Sequence, residues 1–192
     1  MGNLMNRKII EVIAENYLSD ARDFQYRFDK LWESELHKTG RIKSFVDLLM
    51  AFECILKCHA VLSHASNNPE EVYTSVRRCG HNIARLCEMP HFLKGNRIYQ
   101  TVSEDLGKFS VNIRYLLDAE ALLIPLIEDW KNAPINYDQT IGNHSWVMTL
   151  RKRLDTLIAP ANEKFNGLCE DSIKDILEIG VQMEKIYKKL RT

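Results

Sequence analysis

The densest run of residues able to do chemistry lies between positions 77 and 97. Arg77, Arg78, Arg85, Lys94 and Arg97 stand there against Glu88 alone, with His81 and His91 interleaved. This local excess of four positive charges sits on a chain whose 26 Lys plus Arg balance 26 Asp plus Glu. Clustered cations beside helix N-termini hold phosphate oxygens, and imidazoles among them move protons. The only aromatics close by are Phe92 and Tyr99, too few for a base-stacking platform. The competing reading is a solvated helix face balanced by acids elsewhere in the fold. Because the whole chain is neutral, any nucleic-acid contact has to be local.

A second group is thiol and imidazole. Cys54 and Cys58 lie one helical turn apart, with His59 adjacent and Cys79, His81 and Cys87 downstream. Structural zinc sites use tighter pairs such as C-x-x-C, which do not occur here, so small buried cysteines are the expectation and no metal is assigned. His59 falls on a broad apolar face and is expected to be a hydrogen-bonded core or interface residue. G-x-S-x-G, G-x-x-x-x-G-K and H-E-x-x-H are all absent, which removes the main support for hydrolase, P-loop and zinc-protease readings.

The chain has 192 residues, 45% hydrophobic and 27% charged, enough for one domain with a packed core. The start, MGNLMNRKIIEVIAEN, lacks an apolar h-region, and Asn6 stands where a myristoylation motif wants Ser or Thr. The most apolar stretch, 45–62, contains Asp47, Glu53, Lys57 and His59, so no membrane span is expected. Five cysteines without a secretion signal fit reduced thiols and a cytoplasmic protein.

Apolar spacing is helical almost throughout, and no sustained alternation marks a strand. Ile10, Ile13, Tyr17, Phe24, Phe28 and Leu31 line a first helix from about Leu4 to His37, ended by Gly40. From Ile42 to Ser63, Phe45, Leu48, Phe52, Ile55, His59 and Leu62 form one row, and Val46, Leu49 and Leu56 a second. That width suits a central helix contacted from several sides, with the Glu53 and Lys57 pair on what remains. Asn68, Pro69 and Glu71 predict a capped helix start, with a pause at Gly80 and a short turn over 82–88 stopped by Pro90. A fourth helix is read over 96–117 with Gly107 as a weak point, and a fifth over 119–130. Residues 131–145 read as an exposed loop, Pro160 as an interruption, and Ile173, Ile176, Gly180, Met183, Ile186 and Leu190 as the stripe of a last helix.

Three stretches resemble a known family. AFECILKCHAVL, residues 51–62, is similar to the second-helix pattern of HEPN domains (higher eukaryote and prokaryote nucleotide-binding), with Glu53 followed four positions later by Lys57. CGHNIARLCE, residues 79–88, resembles the Gly-His-Asp/Asn-Leu turn and short helix of many of these domains. Asn112, Arg114 and Tyr115 in VNIRYLL resemble the Arg-Tyr that opens a later helix in the nucleotidyltransferase-associated branch. The resemblance covers roughly residues 5–130.

It implies an all-α, up-and-down helical bundle over residues 1–130, HEPN-like and usually dimeric. Residues 131–192 then form a loop and extra C-terminal helices packed on the same domain. Members occur in bacterial defence and toxin-antitoxin systems, and many are metal-independent endoribonucleases. In those enzymes a closely spaced Arg and His serve attack by the ribose 2'-hydroxyl, and the matching pair here is Arg85 and His91. Leu86 replaces the polar residue expected after the Arg, and Pro90 directly precedes the His.

The leading expectation is a cytoplasmic, homodimeric binding or regulatory module without cofactor, partnered with a nucleotidyltransferase or antitoxin or with RNA. Its contact residues would be Arg77, Arg78, His81, Lys94, Arg97, Arg114 and Tyr115. The alternatives are an endoribonuclease toxin using Arg85 and His91, and a purely structural helical oligomerisation protein.

Overall fold

The computed structural model describes residues 2–35, 37–89, 92–123, 135–166 and 173–189. The described residues form helices α1 (Gly2–Trp32), α2 (Lys38–Ser63), α3 (Pro69–Arg77), α4 (Ile83–Cys87) and α5 (Ile98–Leu106). A 3-10 turn (Val111–Arg114), α6 (Leu116–Leu123), α7 (His144–Phe165) and α8 (Ile173–Lys189) follow, and no strand occurs among the described residues. The helical content expected from the spacing is present, and the helices form an all-α bundle. Pro134 and its neighbours from 124 on, Leu190, Pro90 and His91 lie outside the described residues.

Helix α2 is the centre. Both apolar rows read from the sequence are buried from Phe45 to His59, and α1, α3, α4, α7 and the 3-10 turn all pack against it. A helix covered on so many sides has no solvated strip, so its polar side chains need partners inside the fold. The Glu53 and Lys57 pair, expected at the surface, is therefore internal, with Glu53 only 2% exposed.

His59 shows how such a group is satisfied. Its Nε2 lies 3.0 Å from the Leu157 carbonyl, which only accepts, so Nε2 carries the hydrogen and Nδ1 accepts from the Tyr99 hydroxyl at 2.8 Å. The Tyr99 oxygen in turn accepts from the Leu93 amide. One imidazole thereby ties α2 to α5 and α7, as expected of a core histidine. Pro160 does not interrupt α7; the helix continues through it. Pro160 has no N–H to give the Thr156 carbonyl, and on the next residue the Leu157 carbonyl accepts from His59.

Several boundaries differ from the spacing argument. Helix α1 ends at Trp32, where the Ser34 hydroxyl bonds the Leu31 carbonyl, and Gly40 lies in the first turn of α2. The buried face of α1 runs through Ile9, Ile13, Ala14, Leu18, Ala21, Phe28 and Trp32, while Leu31 is exposed. Small alanines permit the close approach of α2 there and rotate the stripe. At α3, Asn68 caps the Glu70 amide as expected, but Glu71 accepts from Ser66 Oγ, which accepts from the Asn68 amide.

The helix read over 96–117 breaks after Leu106. Phe109 leaves the helical path to pack edge-on against Phe45, ring centroids 5.1 Å apart, with Trp146 beside both. Ser110 then caps the 3-10 turn through the Asn112 amide. The 131–145 segment is not a wholly exposed loop, because Ile135 and Ile141 are buried and α7 begins at His144, capped by Asn143. In α8 the buried stripe is Ile179, Met183 and Ile186, whereas Ile176 faces outward.

Replacing His59 with Leu removes the side-chain donor to the Leu157 carbonyl and the acceptor of the Tyr99 hydroxyl proton. We expect a loss of about 2–4 kcal/mol in urea unfolding, against about 1 kcal/mol for Tyr99→Phe. Equal, negligible losses would contradict the bonding scheme.

Candidate functional site

Glu53 projects from mid-α2 toward the connection between α3 and α4. One of its oxygens accepts from Lys57 Nζ at 2.6 Å and the other from His81 Nδ1 at 2.8 Å. Lys57 is itself nearly buried, so the three groups form an inward ion pair with one arm reaching the surface. That arm is His81, whose side chain is 59% exposed. With Nδ1 donating to the carboxylate, Nε2 bonds to no described residue.

The connection that delivers His81 is built locally. Gly80 adopts φ +57°, a left-handed conformation that ends α3 without Cβ strain. Its amide bonds the Arg77 carbonyl, and Asn82 caps α4 through the Arg85 amide. The same turn carries Arg77, Arg78 and Arg85, all exposed, with Arg85 Nη1 donating to the Arg78 carbonyl at 3.3 Å. Lys94 and Arg97 are exposed on the approach to α5, which packs on α4. None of these five cations forms an ion pair with a described residue.

Of the residues expected to act together, the structure gathers Arg77, Arg78, His81 and Arg85 on one turn. Arg114 and Tyr115 lie elsewhere. They line a cleft of about 460 Å³ with Thr39, Ile42 and Lys43, and the Arg114 guanidinium sits 4.8 Å from the Tyr115 ring centre. Ten residues of α2 separate Lys43 from Glu53, roughly 15 Å of helix. The sequence reading missed the Glu53–His81 contact. Its signal lay in the two stretches that carry the family resemblance, one contributing the acid and lysine and the other the histidine.

Beneath Lys57 the setting turns aromatic. Its Nζ lies 5.8 Å from the Tyr17 ring centre, and Tyr17, Tyr73, Tyr187 and Asp20 border a cavity of about 120 Å³. Burial, reinforced by Tyr73, Cys54, Glu53 and Asp20, pushes the Tyr17 phenol well above its usual range, so it stays neutral. Burial likewise raises the Cys54, Cys58 and Cys87 thiols to about 12. Cys79 also moves up by burial, opposed by Arg85 and Lys57. These are inert core thiols, and no group of three or more His, Cys, Asp or Glu among the described residues is placed to hold a metal ion.

Comparison of the chain with protein-family models, curated proteins and solved structures returns no match.

Removing the buried acid leaves Lys57 without its counter-charge, so Glu53→Ala should cost about 3–5 kcal/mol in chemical denaturation. Glu53→Leu combined with Lys57→Met should recover most of that loss, and additivity of the two changes would argue against the pair. For the thiols, in a Cys169→Ser background, Cys54, Cys58 and Cys87 should resist a disulfide reagent at about pH 8 until denaturant is added, since thiolate is the reactive form.

Proposed function

We propose that the chain is an HEPN-like binding module that holds RNA phosphates on the basic turn between α3 and α5, acting as a cytoplasmic regulatory component of a defence or toxin-antitoxin system. The observation that carries this reading is the set of five exposed cations, Arg77, Arg78, Arg85, Lys94 and Arg97, that no described acid neutralises. Structural surface charges commonly find partners or alternate in sign, whereas a patch with five cations to one acid, Glu88, on a neutral chain attracts a polyanion. The HEPN assignment draws support from Glu53, Lys57 and His81. These residues come from two resembling stretches 28 positions apart and meet in one hydrogen-bonded cluster.

RNA cleavage is a second reading, favoured by one specific feature. A buried carboxylate orients His81 through Nδ1 and leaves Nε2 of the exposed ring with no described partner, four residues before Arg85, an arrangement suited to a general base with a cation nearby in sequence. In that reading His81 abstracts the 2'-hydroxyl proton in place of His91, which lies outside the described residues.

Binding of a single-stranded RNA oligomer should fall with salt, log K against log salt sloping about −3.5 for five phosphate contacts. Arg77→Ala with Arg78→Ala should flatten that slope by about 1.4. An unchanged slope would remove the patch from the function. Incubation in chelator separates the second reading: cleavage abolished by His81→Ala replaces binding alone, and cleavage abolished only by His91→Ala selects the Arg85 and His91 pair.

A further inference from the structure

The small cavity near Lys57 has the walls of a cation site. Helix α1 contributes Ile13, Tyr17 and Asp20, whose spacing puts them on one stripe; α3 contributes Tyr73, and α8 contributes Met183 and Tyr187, one turn apart. Three helices thus bring three tyrosines and one acid around about 120 Å³ of space. The Tyr73 and Tyr187 ring centres lie 6.5 Å apart with their planes at 78°, so these two walls meet nearly at a right angle. An aromatic ring is negative over its faces, and rings converging on one space favour a positive guest.

The acid on the rim is short of counter-charge. Neither Asp20 nor Asp23, which acts on it, forms an ion pair with a described residue, and the three tyrosine hydroxyls hydrogen-bond to none. Lys57 is the cation that acts on Asp20, but it is committed to Glu53 at 2.6 Å. Nor does Lys57 fill the space. It is not among the residues that border the cavity, and its Nζ lies 5.8 Å from the Tyr17 ring centre, at the outer edge of a cation-π contact. The electrostatics agree with the geometry. Burial first, then Tyr73 and, further down, Asp20 push the Tyr17 and Tyr187 phenols upward, while burial and Asp23 raise Asp20 against the pull of Lys57. A cation in the cavity offsets each of these effects.

The dimensions narrow the class of guest. At about 30 Å³ per water the space holds about four waters, the bulk of one trimethylammonium head. Ile13 and Met183 supply apolar walls, which suit methyl groups better than N–H donors that each need an acceptor. Entry needs no unfolding, since Asp20 is exposed and Tyr187 is 43% exposed.

We propose that this cavity binds a small, free quaternary ammonium compound, its trimethylammonium head enclosed by Tyr17, Tyr73 and Tyr187 and its charge matched by Asp20. The guest is opposite in sign to the phosphates assigned to the basic turn, so the two readings stand or fall on separate measurements.

Titration of the full chain with choline, followed by calorimetry and by the choline methyl proton resonance, should saturate with a dissociation constant of about 1 mM or tighter. The methyl resonance should move upfield, as protons over ring faces do. The neutral isostere of choline, with a tert-butyl group in place of the trimethylammonium, should bind about tenfold more weakly. Tyr187→Leu and Asp20→Asn, both at exposed positions where circular dichroism should stay unchanged, should each weaken choline about tenfold, and Tyr187→Phe, which keeps the ring, should stay within about twofold of wild type. No saturation by about 20 mM choline overturns the inference. So does a neutral isostere that binds as tightly, or choline binding indifferent to Tyr187→Leu and Asp20→Asn. A trimethyl-lysine peptide that binds where choline does not also overturns it, in favour of a modified protein as the guest.

Discussion

The burial of α2 on nearly every face is the constraint from which the arrangement follows. A helix in that position carries Asp47, Glu53 and His59 into a medium that penalises each unless a partner comes with it. Each partner arrives from a different element. Arg27 of α1 reaches Asp47 at 3.0 Å, His81 of the α3–α4 turn reaches Glu53, and His59 bonds Tyr99 of α5 and Leu157 of α7. The polar groups of the central helix thus fix which neighbours surround it and in what register. Asp47 shows the cost that remains, since burial holds its carboxyl above the usual range despite the lowering effect of Arg27.

That constraint also explains where the basic turn lies. The negative charge of Glu53 is inside, matched by Lys57, and His81 extends the bond to the surface at the point where Arg77, Arg78 and Arg85 emerge. Anchoring the turn from within leaves its arginines free of any described acid, with Arg85 spending one donor on the Arg78 carbonyl. Arginines that serve no internal acid keep their full charge and remaining donors for a ligand. The second cleft, with Lys43, Arg114 and Tyr115, is held by the opposite end of α2 and the 3-10 turn, so its distance from His81 is set by the length of one rigid helix.

The periphery obeys different rules. Helix α8 rests on the bundle through Ile179, Met183 and Ile186 and through the edge-on contact of Tyr187 with Tyr73, while α7 is pinned by Arg151 to Asp29 and by Arg153 to Asp105. Partly exposed ion pairs of that kind contribute modestly, so the seating of α7 depends chiefly on Val147, Leu150, Leu154 and Leu157 in the core.

Local chemistry determined the helices themselves: the spacing around Phe45, Phe52 and Ile55, the Asn68-Pro69 start and the Gly80 turn were legible because each depends on neighbours within a turn or two. The class of fold followed, as did the buried state of His59 and of Cys54, Cys58, Cys79 and Cys87. Tertiary packing decided the rest. Phe109 broke a helix that its periodicity would have continued, α7 ran through Pro160, and alanines on α1 and the seat of α8 rotated stripes that a wheel alone placed elsewhere. The site was half legible, since the arginines of the basic turn stood together in sequence while the acid that anchors it lay 28 residues away from His81. An amphipathic pattern states that a face is buried but not against what, and a carboxylate's partner is chosen only when desolvation makes leaving it unpaired too costly.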